Sequence, residues 1–183
     1  MIRNSNPALG VAAAAWGLIG WSATLAFAIA RLGVSAVEAL GGDLDPLQLA
    51  ALVANTGAFA WAEGYRGFQK RFSPRTAARI LYLRRHSGLL TAALAPFFCI
   101  GFFGVTPRIL RMTWIGTVLI LLAIVVVRQL PQPWRGIVDL GVVIGLAWGL
   151  VSFVAMSCRA LVTGRYPAPP EVPGQTAPRG LGL

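Results

Sequence analysis

The chain has 183 residues, a formal net charge of +10 and a mean hydropathy of +0.69. Hydrophobic residues make up 56% and charged residues 12%, against roughly 25% charged residues in a soluble domain, which excludes an ordinary soluble globule. The surplus of Lys and Arg borders long apolar runs, where it meets anionic headgroups; membrane lipid is therefore the expected partner, and nucleic acid is not.

The first apolar run covers residues 8–30, between Arg3 and Arg31. Its length of about 22 residues exceeds the roughly 7–15 of a signal-peptide core, so an uncleaved membrane helix is expected. Gly10, Ala13, Gly17, Gly20, Thr24 and Ala28 share one face at helical spacing, a pattern suited to close helix packing in lipid. Residues 31–46 hold Glu38, Asp43 and Asp45 around a Gly41-Gly42 break, with a short interfacial helix expected over residues 35–40. Asp45-Pro46 then reads as the cap and first residue of a second helix.

That second helix is expected from about residue 47 past Trp61, continuing as far as Gln69. At 100° per residue, Gln48, Asn55, Glu63 and Arg66 fall on one side, beside Ala51, Ala58 and Ala62. A polar, small-residue stripe on an apolar helix should face other helices or a wet cavity rather than lipid. Glu63 has Arg66 three residues away as an ion-pair partner on its own helix.

A basic loop is expected over residues 65–87, and it anchors the topology. Residues 63–86 carry Arg66, Lys70, Arg71, Arg75, Arg79, Arg84 and Arg85, together with His86, the only histidine. Lys and Arg are retained on the cytoplasmic side, which sets the amino terminus inside. Lys70, Arg71, Arg75 and Arg79 are the residues expected to face lipid headgroups or an acidic partner. Ser73-Pro74 reads as the start of a moderately amphipathic helix reaching His86.

The third run, residues 88–105, is marginal in length and carries Pro96 at its middle, so it either crosses or bends back. The fourth covers residues 112–127 and is the most uniformly apolar. The fifth covers 136–162 after the stiff Pro131-Gln132-Pro133 connector. Within it Gly141, Gly145 and Gly149 recur every four residues, which lets another backbone approach closely. Arg135 and Asp139 stand one turn apart near its start and can pair. Residues 164–183, rich in Pro and Gly without apolar periodicity, read as a disordered or extended tail.

The expected fold is thus all-α: a polytopic integral membrane bundle over residues 1–163, with five hydrophobic segments of which four or five cross. Five crossings leave ten Lys and Arg inside and six outside; a re-entrant third run leaves thirteen inside and three outside, the distribution the charge rule prefers.

Chemical signatures are thin. One histidine cannot supply a bis-His haem site or an HExxH zinc site, Cys99 and Cys158 lack CxxC spacing, and no GxSxG or phosphate-binding GxxxxGK[ST] is present. No cofactor, metal or catalytic residue is therefore assigned. The reading that fits best is a non-enzymatic accessory or assembly subunit in a bacterial inner membrane, packed against other membrane subunits or copies of itself. A small transporter or channel using the stripe of Gln48, Asn55 and Glu63 on the second helix is the competing reading, with Glu63 and Asp139 as the candidate proton-relay or ion-binding acids; an enzyme acting on lipid headgroups is a weaker third.

Overall fold

The computed structural model describes residues 7–173, and among them every regular element is helical. In chain order these are α1 (Pro7–Leu40), α2 (Pro46–Phe59), a π-helix (Ala60–Phe72), α3 (Ser73–His86), α4 (Leu89–Ala93), α5 (Ala95–Ile100), α6 (Pro107–Val127) and α7 (Trp134–Thr163). Three of them, α1, α6 and α7, are long and apolar enough to cross a membrane. At about 1.5 Å per residue each exceeds the roughly 30 Å hydrocarbon layer. The chain is an all-helical membrane protein.

Several boundaries differ from the sequence expectation, each for a physical reason. Residues 35–40 do not form a separate interfacial helix; they extend α1, which stops where Gly41 and Gly42 follow. Asp45 caps α2 through its side chain, and Gln48 returns the bond to the Asp45 backbone at 3.1 Å, completing a capping box. The helices expected as far as Gln69 and from Ser73-Pro74 to His86 are both present, but no break separates them: residues 65–86 are helical throughout. Ser73 consequently caps nothing, because helical turns precede it, and its hydroxyl is buried without a hydrogen-bond partner. The third run is broken into α4 and α5 at Leu94, where the backbone leaves the helical region one residue before Ala95-Pro96. Gly101 then closes α5 with φ of 104°, a left-handed conformation that favours glycine.

The chain divides into two compact units. One comprises residues 1–21, 73–116 and 153–183. Its core joins Ala13 and Ala14 of α1, Ile80 and Leu83 of α3, Ala95, Phe98 and Cys99 of α5, and Phe153 of α7. Gly17 of α1 faces the Cys99 sulfur and Gly20 faces Pro96, so the small-residue face read from the sequence packs here as far as Gly20. Thr24, the next member of that face, is exposed. The Trp16 indole donates to the Ala93 carbonyl at 3.1 Å.

The same unit contains the start of the Pro/Gly-rich tail. Gly164, with φ of 65°, ends α7, and residues 165–173 follow without helix. Pro170 is buried, and Val172 packs against the core. This part of the tail is extended and held by specific contacts; residues 174–183 lie outside the described residues.

The other unit comprises residues 22–72 and 117–152. Residues 118–126 of its part of α6 are apolar and exposed, with Val118, Leu121 and Val126 all more than half accessible, as expected of a lipid-facing helix.

Candidate functional site

In the unit of residues 22–72 and 117–152, the polar stripe and the glycine ladder meet each other. Asn55 donates through Nδ2 to the Ile137 carbonyl at 2.7 Å. A methyl group placed on Gly141 would overlap the Asn55 amide, and one on Gly149 would overlap the Phe68 ring. Gly145 faces Glu63, whose Cβ would lie 3.2 Å from such a methyl. Gly64, buried on the facing segment, lies under Trp148, and the Trp148 indole donates to Gln69 Oε1 at 2.7 Å. The close approach encoded by Gly141, Gly145 and Gly149 is therefore made within the chain.

The π-helix sets the facing residues. Its i→i+5 hydrogen bonding widens each turn, so a 100° step misplaces side chains beyond Phe59. Both cation–π contacts of the segment confirm the wider turn by their spacing: Arg66 lies 5.0 Å from the Trp61 ring and Lys70 5.2 Å from Tyr65, each five residues on. Arg66 turns to Trp61 instead of pairing with Glu63, as was expected; among the described residues no ion pair joins those two. Gln48 also leaves the stripe, because its side chain is held in the cap of α2.

Near the start of α7, Arg135 Nε lies 3.7 Å from Asp139 Oδ2. Asp139 is only 3% exposed, and Oδ2 has no hydrogen-bond partner. The distance is that of an ion pair without a hydrogen bond, an unusual state for a buried carboxylate. On the same turns Gly136 faces Ala39 and the Ser35 carbonyl, and Gln132 donates to Ser35 Oγ at 3.2 Å.

In the unit of residues 1–21, 73–116 and 153–183 the basic residues separate by role. Arg79, expected to face headgroups or a partner, is only 3% exposed. Its guanidinium donates to Cys99 O at 3.0 Å, to Pro170 O at 3.3 Å and to Glu171 Oε2 at 3.1 Å. Burial pushes its pKa down, and the Glu171 carboxylate opposes that shift. Arg75 reaches the other Glu171 oxygen at 3.6 Å. The position is structural because Arg79 lies on the buried side of α3 with Ala78, Ile80 and Leu83. Of the four residues assigned to headgroups or partners, Lys70 and Arg71 are the exposed ones.

Glu171 was missed in the sequence. The signal available was composition: it is the sole acidic residue of the tail, flanked by Pro170 and Val172, which are both at least partly buried. Cys99 is buried and Cys158 exposed, both as free thiols. His86 stacks on Tyr82 with ring centroids 4.7 Å apart. Comparison of the chain with protein-family models, with curated proteins and with solved structures finds no match.

Proposed function

We propose that the chain is a multi-pass protein of the bacterial inner membrane that serves as a non-enzymatic accessory or assembly subunit. The observation that carries this reading is the contrast between used and unused surfaces. The side-chain amides of α2 and the π-helix are engaged inside the chain: Asn55 on the Ile137 carbonyl, Gln48 in a helix cap and Gln69 on Trp148. The exposed surface of α6 over residues 118–126, by contrast, is a continuous apolar face, suited to lipid and to helices of other subunits. Purification in mild detergent should recover the protein with stoichiometric membrane partners or as a defined homo-oligomer. A monodisperse single-chain particle from the same membranes would overturn the accessory role.

The accompanying topology has four crossings, through α1, α2 with the π-helix, α6 and α7, and a cytoplasmic amino terminus. The break between α4 and α5 supports it. The 12 residues from Leu89 to Ile100 rise only about 18 Å even if taken as one helix, short of the roughly 30 Å hydrocarbon layer. The positive-inside distribution favours the same arrangement. Impermeant labelling of single cysteines at the two ends checks it: both ends should react from the cytoplasmic face.

A second reading, a small ion or solute transporter, is favoured by one observation: the buried Asp139 carboxylate with an oxygen lacking a hydrogen bond. Intramembrane acids are costly and often functional. Under this reading Asp139→Asn abolishes flux in proteoliposomes while leaving folding intact. Unchanged flux removes the reading.

A further inference from the structure

The ends of α3 and α7, together with Pro7, enclose a pocket of about 720 Å³. Its walls carry Arg84, Arg85 and His86 alongside the apolar Leu81, Leu161 and Val162, and no carboxylate lines it among the described residues. Arg84 donates to the Leu161 carbonyl at 2.7 Å and Arg85 to the Gly164 carbonyl at 2.6 Å. The Arg85 guanidinium also lies over the Tyr166 ring at 5.1 Å. These contacts fix both side chains.

A helix carboxyl end ordinarily repels anions, because its last carbonyls carry partial negative charge. Here one of those carbonyls, that of Leu161, and the Gly164 carbonyl just past the helix already accept from full guanidinium charges, and each guanidinium offers five N–H donors. Both keep donors for a further acceptor, and both side chains are exposed. The pocket wall is therefore net cationic and pre-positioned. His86 adds a ring oriented by stacking on Tyr82, with a buried Nδ1 that has no hydrogen-bond partner. Val162, 87% exposed, extends the apolar side outward. In sequence Leu89 and Leu90, 80% and 74% exposed, follow His86 closely.

From this combination we infer that the pocket binds an anionic phospholipid, its phosphate held by Arg84 and Arg85 and its acyl region laid against Leu161 and Val162. The shared chemistry of free phosphate and a lipid headgroup is the oxyanion, which guanidinium groups recognise through paired N–H donors. The apolar wall of a membrane-embedded chain selects the lipid. Arg84 and Arg85 are distinct from Lys70, Arg71 and Arg75, so this is a discrete site rather than the general basic character of the chain.

Native mass spectrometry of the full chain in mild detergent, titrated with short-chain phosphatidylglycerol, measures the site directly. The wild-type protein should retain one tightly bound phosphatidylglycerol, and Arg84→Gln/Arg85→Gln should weaken it about thirtyfold. Arg108→Gln/Arg111→Gln removes the same charge from exposed positions at the start of α6 and should change binding by no more than about threefold. Equal weakening by both double variants would reduce the effect to bulk charge and overturn the site. Equal retention of phosphatidylcholine would overturn the anion requirement, and inorganic phosphate binding as tightly as the lipid would overturn the lipid. Since Arg84 and Arg85 also hold the end of α7, Val162→Trp provides a variant that obstructs the pocket and leaves both arginines in place. It should lower lipid affinity about tenfold or more with an unchanged melting temperature; full binding by Val162→Trp would overturn the inference.

Discussion

The two units hold themselves together by different means. In the unit of residues 22–72 and 117–152 the seam along the glycine ladder uses small residues and neutral hydrogen bonds: three glycines against Asn55, Glu63 and Phe68, an amide on a carbonyl, an indole on an amide. The buried carboxylate of this unit, Asp139, has its cation Arg135 only one turn away on the same helix. The unit of residues 1–21, 73–116 and 153–183 buries a full charge, Arg79, and neutralises it with a carboxylate 92 residues further along the chain. Removing a neutral partner forfeits one bond, whereas removing a charged partner strands an ion. The units should therefore respond unequally to single substitutions.

The largest effect is expected at Arg79. Arg79→Ala removes the groups that hold Cys99, Pro170 and Glu171 together and should destabilise the protein by roughly 3 kcal/mol or more, the range for breaking a buried charge pair. A thermal melt in detergent measures the loss, and faster proteolysis within residues 164–173 should accompany it. Glu171→Gln should cost less, about 1–3 kcal/mol, since Arg79 keeps two carbonyl acceptors. If Glu171→Gln were neutral in the same melt, the charge pair would not distinguish the units.

In the glycine-lined unit Gly149→Leu drives a side chain into the Phe68 ring and should cost about 1–3 kcal/mol by overpacking. Asn55→Leu removes only the bond to the Ile137 carbonyl, an effect of about 0.5–1.5 kcal/mol. The smallest change is expected at the cap of α2: Gln48→Ala keeps the Asp45 bond and should lower stability by about 0.5 kcal/mol. A reversal, with Gly149→Leu milder than Gln48→Ala, would show that the seam is not packed as tightly as the glycines require.

What could be read from the sequence follows the range of the interactions. The long apolar runs of α1, α6 and α7, the Asp45-Pro46 start of α2 and the packing faces of Gly17 and Gly145 are local patterns, and each leaves its mark within a few residues. The partner of each face is not local. That Phe68 joins Asn55 at the Gly141–Gly149 ladder depends on a π-helical stretch, and no periodic signal at 100° per residue announces one. The Arg79–Glu171 pair was hidden for a second reason. Arg79 sits in a run of basic residues that looks like a solvated collar, and Glu171 in a tail whose composition resembles disorder. Charge counting by segment treats all seven basic residues of 63–86 alike, although burial separates Arg79 from Lys70 and Arg71.

The distance in sequence between Arg79 and Glu171 also sets an order of events. At roughly 5–20 residues per second, Glu171 leaves the ribosome about 5–20 s after Arg79. For that interval α3 carries a guanidinium with at least two of its three partners missing, since Cys99 follows early but Pro170 arrives only with Glu171. Its buried position cannot be completed until the tail docks. Closure of this unit is thus a late step of synthesis, and a chain interrupted before Pro170 would present Arg79 as an unfinished site that quality control can distinguish from the completed protein.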